Sequence, residues 1–259
     1  MAIDLFSIGP VTLHGYGLMI GLGFAAAVLV GCYRAGKMGL SQDHFTSIAI
    51  CVLLFGFAGG KLLHVITCFD QFLKDPLSTL GSEGFVVYGG IITGILTIII
   101  YCKLKKISSL EYLDLMSPSV AINQAFGRLG CFMAGCCYGR ETDSFLGVTF
   151  PEGCLAPAGV KVLPTQLFSS AADLVLFFIL LYVAKRRKTP GMVCGVYVLC
   201  YSIGRFLIEF LRDDPRGNVG VLSTSQFIAI FTGIGAIAYM LCLKKFVKCD
   251  SAETENLQN

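Results

Sequence analysis

Arg128, Arg205, Glu209 and Arg212 lie within or at the edge of long apolar runs. A charge at membrane depth costs roughly 2.5–3.5 kcal/mol on insertion scales and therefore faces the protein interior and needs a partner. Arg205 and Glu209 are four residues apart, on one helical face, and Arg212 follows at the end of the same run. One chemistry open to this set is an internal Arg–Glu pair that pins helix packing. The other is anion binding, because guanidinium forks suit a phosphate bidentately, and a phospholipid headgroup is the anion native to that depth. Lys61 and Asp173 are further polar intrusions, read as packing or interfacial residues. Tyr16 and Tyr88 stand beside Gly17 and Gly89, where a phenol reaches a headgroup past a close-packed backbone or else joins an interfacial belt. Gln166 begins an apolar run after Pro164, with Thr165 expected as its N-cap.

The chain holds 12 cysteines. Cys32, Cys51, Cys102, Cys194, Cys200 and Cys242 fall singly in or near apolar runs, where a thiol acts as a small hydrophobe. Cys131, Cys136, Cys137 and Cys154 cluster instead. Cys136 or Cys137 paired with Cys154 would staple an outer loop. Free packing thiols and a covalent lipid carrier are the other main readings. No Cys-x-x-Cys pair occurs and the histidines are scattered, so no metal site is expected.

The elements that must position these residues follow from composition. Of 259 residues, 55% are hydrophobic and 14% charged, against about a quarter charged in soluble domains. Lipid is therefore the solvent for most of the chain. A spanning helix needs about 20 apolar residues, which predicts spans near residues 13–33, 45–66, 85–102, 111–133, 166–184, 192–211 and 223–243. The fourth is interrupted by Asn123, Gln124 and Arg128. The N-terminus lacks the basic start and small-residue cleavage site of a signal peptide, so its first apolar run is expected to stay as a helix. Glycine pairs such as Gly56 and Gly60, or Gly90 and Gly94, are helix-packing positions rather than nucleotide loops.

Charge then orients the chain. One set of loops carries Arg34, Lys37, Lys103, Lys105, Lys106, Lys185, Arg186, Arg187, Lys188, Lys244, Lys245 and Lys248; the other carries only Lys74, Arg140, Lys161, Arg212 and Arg216. Positive charge stays cytoplasmic, which predicts an outside N-terminus and a cytoplasmic C-terminus. The expectation is a single all-α membrane domain over residues 1–250, with seven transmembrane helices and a small extracytoplasmic cap at about 134–165. A disordered polar tail is expected over 251–259. The cap is the longest connection, and such loops are usually functional, so the site is expected on the outer side. No basic patch with interleaved aromatics occurs outside the apolar runs, which argues against nucleic acid as a partner.

The segments Gly127-Arg128-Leu129-Gly130-Cys131-Phe132, Leu163-Pro164-Thr165-Gln166-Leu167-Phe168 and Gly204-Arg205-Phe206-Leu207-Ile208-Glu209-Phe210-Leu211-Arg212 resemble the prolipoprotein diacylglyceryl transferase family. Tyr16-Gly17-Leu18, Val87-Tyr88-Gly89-Gly90 and Leu222-Ser223-Thr224-Ser225-Gln226 extend the resemblance over roughly residues 11–243. It implies a bacterial cell-membrane enzyme that moves the diacylglyceryl group of phosphatidylglycerol to the lipobox cysteine thiol of a preprolipoprotein. Glycerol phosphate leaves, and no metal or soluble cofactor takes part. It implies Arg128 and Tyr16 as substrate-binding residues, with His14, Gly89, Gly90 and Gln166 beside them. Arg205, Glu209 and Arg212 are implied as the catalytic group around the phosphate. Tyr88 stands where many members carry histidine; with an ordinary pKa near 10 it is read as a hydrogen-bond donor.

The chain also departs from the family. Where members usually read Gly-Asn-Phe and then Asn-Gly-Glu, this chain has Cys131, Ala134 and Cys136, and His14 replaces an early arginine. The phosphate-binding helices match better than this polar lining. A paralogue acting on another acceptor is therefore the alternative reading. A membrane transporter is the alternative of another class, disfavoured because no inverted repeat is evident.

Overall fold

The computed structural model describes residues 4–8, 11–81, 84–214 and 217–256. Arg216 of the outer basic set lies outside them. The chain is a multi-pass, all-α membrane protein. Among the described residues, six stretches are long and apolar enough to cross a membrane. They are Gly15–Lys37, Gln42–Thr67, Val87–Leu104, Thr165–Arg186, Met192–Leu211 and Thr224–Lys245. The helices that carry them are α1 (Gly15–Lys37), α2 (Gln42–Thr67), α5 (Val87–Leu104), α7 (Thr165–Arg186), α8 (Met192–Ile208) and α9 (Thr224–Asn256). A helix suits lipid because it satisfies its own backbone polar groups. The expected fourth span is α6 (Ser109–Ala134), long enough to cross but too polar to join the six. Two short helices absent from the sequence reading, α3 (Phe69–Lys74) and α4 (Pro76–Gly81), lie between α2 and α5. Helical backbone in α9 continues to Asn256, past Ser251 where a disordered tail is expected.

Contacts divide the chain into two compact units, residues 31–113 and residues 1–30 with 114–259. In the first, α2 packs on α5 through small residues. Without a Cβ at Gly59, the Thr93 side chain fits over it, and a Cβ on Gly89 would lie 2.3 Å from the Gly59 carbonyl oxygen. Such close backbone approach is what small residues permit between apolar helices. Lys61 is interfacial here, its Nζ donating to the Gly84 carbonyl at 3.3 Å. Gly89→Ala is expected to cost about 1–3 kcal/mol by overpacking against rigid backbone, seen as a lowered Tm of the purified protein in detergent.

In the second unit, Ala121 of α6 packs with Leu176, Phe177 and Leu180 of α7 and Val193 of α8. The polar residues of α6 are spent inward. Ser170 Oγ donates to the Ala125 carbonyl at 2.9 Å, and Tyr197 Oη donates to Gln124 Oε1 at 2.9 Å. Asp114, fully buried, accepts from the Gly191 and Cys194 amides at 2.8 Å each and from the Arg187 guanidinium. Gly195 lets α8 approach Met240 of α9, and Ser202 and Thr232 hydroxyls bond at 2.8 Å.

A short hairpin of β1 (Asp4–Ile8) and β2 (Val11–His14) precedes α1. Between α6 and α7, β3 (Val148–Thr149) and β4 (Lys161–Val162) pair antiparallel. Around them Phe150, Ala156 and Val162 form a small core with Phe132, Tyr138, Cys154 and Val160. After α8, β5 (Asn218–Val219) pairs with β6 (Leu222–Ser223) just ahead of α9.

Candidate functional site

The second unit gathers most of the residues with chemistry. Arg205 comes from the last turn of α8, and its Nη1 stands 2.9 Å from Glu209 Oε2 as an ion pair four residues apart. Its Nη2 donates to Ser225 Oγ at 2.7 Å, at the start of α9. Both Arg205 and Glu209 are largely buried. Nη1 has no aligned hydrogen bond, so part of the guanidinium's donor capacity is uncommitted. Arg128, half-buried on α6, makes no hydrogen bond or ion pair among the described residues. Tyr201, Cys131, Cys137 and Asp173 act on it electrostatically. The charges of Arg128 and Arg212 both reach Arg205, so three guanidiniums share one neighbourhood.

Arg212 is engaged within the protein as well. Its Nε and Nη2 donate to Asp214 Oδ1 and Oδ2 at 2.9 and 3.0 Å, a bidentate fork that takes two of its five N–H donors. Burial raises the Asp214 carboxyl above its ordinary range, and Arg212 pulls it back down. Arg212 also pairs through its backbone with Gly139. The Arg140 amide donates to the Leu211 carbonyl at 3.0 Å, and the Gly139 amide to Leu163 at 2.9 Å. The segment after α6 is thus threaded between the end of α8 and the start of α7. Gly139 has to be glycine there, since a Cβ would lie 2.6 Å from the Leu211 carbonyl oxygen. A polar recess of about 340 Å³ opens at this junction, lined by Arg140, Glu209, Arg212, Asp213, Asp214, Ser223 and Gln226 among others.

Thr165 does not cap α7. Pro164 holds the N-cap position, and the Thr165 hydroxyl donates instead to the Cys137 carbonyl at 2.7 Å. Gln166, buried, donates to the Cys136 carbonyl at 2.7 Å and keeps its Oε1 without a hydrogen-bond partner. It is a strut for the turn after α6. Tyr16 is half-exposed, its ring packed against Gly130, two residues from Arg128. His14 ends β2 and is exposed. Asp173 is buried on α7 and acts on Arg128. Tyr88, Gly89 and Gly90 belong to the other unit, at the start of α5, with Tyr88 exposed and Gly89 buried.

Cys131, Cys136, Cys137 and Cys154 are free thiols in this structure. Cys154 packs on Gly135. Sulfurs of the other three lie within 4.8 Å of one another. Hydrogen bonds from Cys131 and Cys136, then the charges of Arg212 and Arg128, hold the Cys137 thiol below its ordinary range, while hydrogen bonding with Cys131 and Cys137, then burial, pushes Cys136 up. Sequence spacing groups these cysteines but does not show that three sulfurs converge, and it shows neither the Asp114 hub nor the Arg212–Asp214 fork. Gly135, a glycine just past the end of a helix, was the available signal for the convergence.

The prolipoprotein diacylglyceryl transferase family profile matches residues 4–242. A phosphatidylglycerol–prolipoprotein diacylglyceryl transferase of Clostridium tetani is 46% identical over 230 residues, covering 88% of this chain and 92% of the relative. One of two such enzymes named in Clostridium perfringens is 46% identical over 240 residues, covering 92% and 93%. The Finegoldia magna enzyme of the same name is 32% identical over 249 residues, covering 95% and 97%. A match of this extent, carried through the arginine helices and the cap alike, makes the chain a member of the prolipoprotein diacylglyceryl transferase family.

Proposed function

We propose that this chain transfers the diacylglyceryl group of phosphatidylglycerol to the cysteine thiol of a prolipoprotein lipobox. The observation that carries the reading is Arg128, a half-buried guanidinium in an apolar layer with no hydrogen-bonded counter-ion among the described residues. A charge so placed calls for an anion, and the lipid phosphate supplies one. In the reaction the acceptor sulfur bonds to the terminal glyceryl carbon, and the carbon–oxygen bond to phosphate breaks. Glycerol phosphate departs and the thiol proton is released. The nucleophile belongs to the acceptor, so the enzyme's task is positioning and charge stabilisation at the leaving phosphate.

In this reading Arg128 binds the lipid phosphate, and Arg205, held by Glu209 and Ser225, meets the charge that grows on it. Arg212 contributes through its field and by holding the cap to the end of α8. Gln166 sets the turn after α6. Tyr16 offers a phenol donor, with His14 just ahead of it; in the other unit Tyr88 is read as a phenol donor of its own, and Gly89 and Gly90 keep the α5 backbone close to α2. The reading includes α6 as a seventh span, its polar residues turned inward. The basic ends of α1, α5 and α7 support an N-terminus and a site on the outer side.

The test incubates purified protein with phosphatidylglycerol and a lipobox peptide, and seeks the diacylglyceryl thioether and glycerol phosphate by mass spectrometry. Wild type is expected to form both, and Arg128→Ala to lose at least 100-fold in rate, the scale for removal of a charge-stabilising donor. Lipid consumed with a product other than the thioether would point to a different acceptor. Full activity of Arg128→Ala would remove the phosphate role.

A further inference from the structure

The turn that ends α6 has a specific geometry. Gly135 takes a left-handed φ of 68°; its amide donates to the Phe132 carbonyl at 3.2 Å, and the Cys136 amide donates to Cys131 at 3.1 Å. These two bonds are the 5→2 and 6→1 pair of a Schellman motif with Gly135 at C′. That motif brings the side chain at C″ against the one at C3, usually two hydrophobes. Here those positions are Cys136 and Cys131, and the Cys136 thiol reaches the Cys131 carbonyl at 3.6 Å. Cys137 follows with a φ of 62°, uncommon for any residue but glycine, and this second left-handed step turns its sulfur back onto the other two. The Thr165 and Gln166 side chains anchor the Cys137 and Cys136 carbonyls from α7, fixing the backbone that carries both thiols.

We propose that Cys131, Cys136 and Cys137 form a three-thiolate site for a soft, thiophilic d10 cation, Zn2+ or Cu+. Thiolate sulfur selects these ions. With metal–sulfur bonds of about 2.3 Å, three ligating sulfurs stand about 4 Å apart. The mutual 4.8 Å limit here requires only sub-ångström closure. Arg128 and Arg212, whose charges reach Cys137, offset the negative charge that three thiolates leave around either ion. The hydrogen bonds to the two carbonyls serve as the outer support that ligand-bearing segments need. Two carboxylate-free, partly buried turns of chain thus converge three soft donors without the Cys-x-x-Cys spacing by which such sites are usually sought.

The test uses the full chain in detergent, purified through a histidine-free tag, reduced and stripped with chelator. Zn2+ is titrated in competition with a chromophoric chelator, and Cu+ separately under ascorbate. Cd2+ serves as an optical probe through sulfur-to-metal charge transfer. One equivalent of at least one of the two ions, with thiolate charge-transfer absorption for Cd2+, is expected. Zn2+ alone would indicate a fourth, exogenous ligand; Cu+ alone would indicate a trigonal site. The combined Cys131→Ser, Cys136→Ser, Cys137→Ser variant should lose this equivalent. If that variant fails to fold, Cys137→Ser alone should weaken binding at least tenfold, while Cys154→Ser and Cys242→Ser leave it within threefold. Failure of folded wild type to bind either ion above the triple variant, or binding that survives loss of these thiols, overturns the proposal.

Discussion

Arg205→Lys lowers the rate of thioether formation by about 10²–10³-fold while the protein stays folded, in a steady-state assay with phosphatidylglycerol and a lipobox peptide. The size follows from what the guanidinium does at once. One nitrogen faces Glu209 at 2.9 Å and another donates to Ser225 at 2.7 Å, leaving further N–H groups for an anion. Lysine carries the same charge as a compact point with three donors on a flexible stem. It can hold Glu209 or reach the phosphate, and the fixed fork is lost. Removal of one preorganised donor at a developing negative charge costs about 10²–10³ in kcat. With Arg128 proposed as the lipid-binding arginine and left intact, the loss should fall on kcat rather than on KM for phosphatidylglycerol. Alanine is the poorer probe, because it strips a counter-charge from the buried Glu209, and breaking a buried pair costs about 3–5 kcal/mol. An Arg205→Lys enzyme with wild-type kcat would show that the Arg205–Glu209 pair serves packing alone.

Asp114→Ala carries the largest expected effect on stability, a loss of about 3–5 kcal/mol from the removal of a buried, paired charge. This carboxylate belongs to α6, yet it caps another helix. The Gly191 and Cys194 amides that it accepts are unsatisfied donors at the start of α8, where a negative charge is favoured by the helix dipole. Arg187, just past α7, completes the shell. One side chain therefore joins three helices, and its loss strands two amides and a guanidinium together. Asp114→Asn keeps an acceptor oxygen and should lose roughly half as much. Thermal unfolding of both variants in detergent, followed by helical circular dichroism, reads the difference. Equal Tm values for wild type and Asp114→Ala would mean that solvent reaches these groups.

How far the chain could be read in advance depended on which forces were local. Long apolar runs identify α1, α2, α5, α7, α8 and the start of α9 to within a few residues, because lipid solvent demands them, whereas α9 runs on to Asn256 through a polar stretch. The Arg205–Glu209 pair was legible from its four-residue spacing. The Arg212–Asp214 fork is not legible in the same way, because Asp214 is only two residues away and lies beyond the helix end, where helical spacing no longer applies. Thr165 looked like a cap by position; its hydroxyl is spent on a carbonyl 28 residues earlier in sequence. Asp114 passed unnoticed, since its role depends on amides 77 and 80 residues away. The convergence of the three clustered thiols was hidden for a related reason. Two left-handed residues, not a motif spacing, bring them together.

The threading of Gly139 and Arg140 between Leu163 and Leu211 also sets an order of assembly during synthesis. Gly139 and Arg140 leave the ribosome well before their partners Leu211 and Arg212 after α8, so the segment between α6 and α7 cannot be fully tied down until α8 is translated and inserted. Domains generally form from the N-terminus as the chain emerges, but this one has to wait. A nascent chain stalled before residue 211 should therefore be open to protease between α6 and α7, and a released one closed.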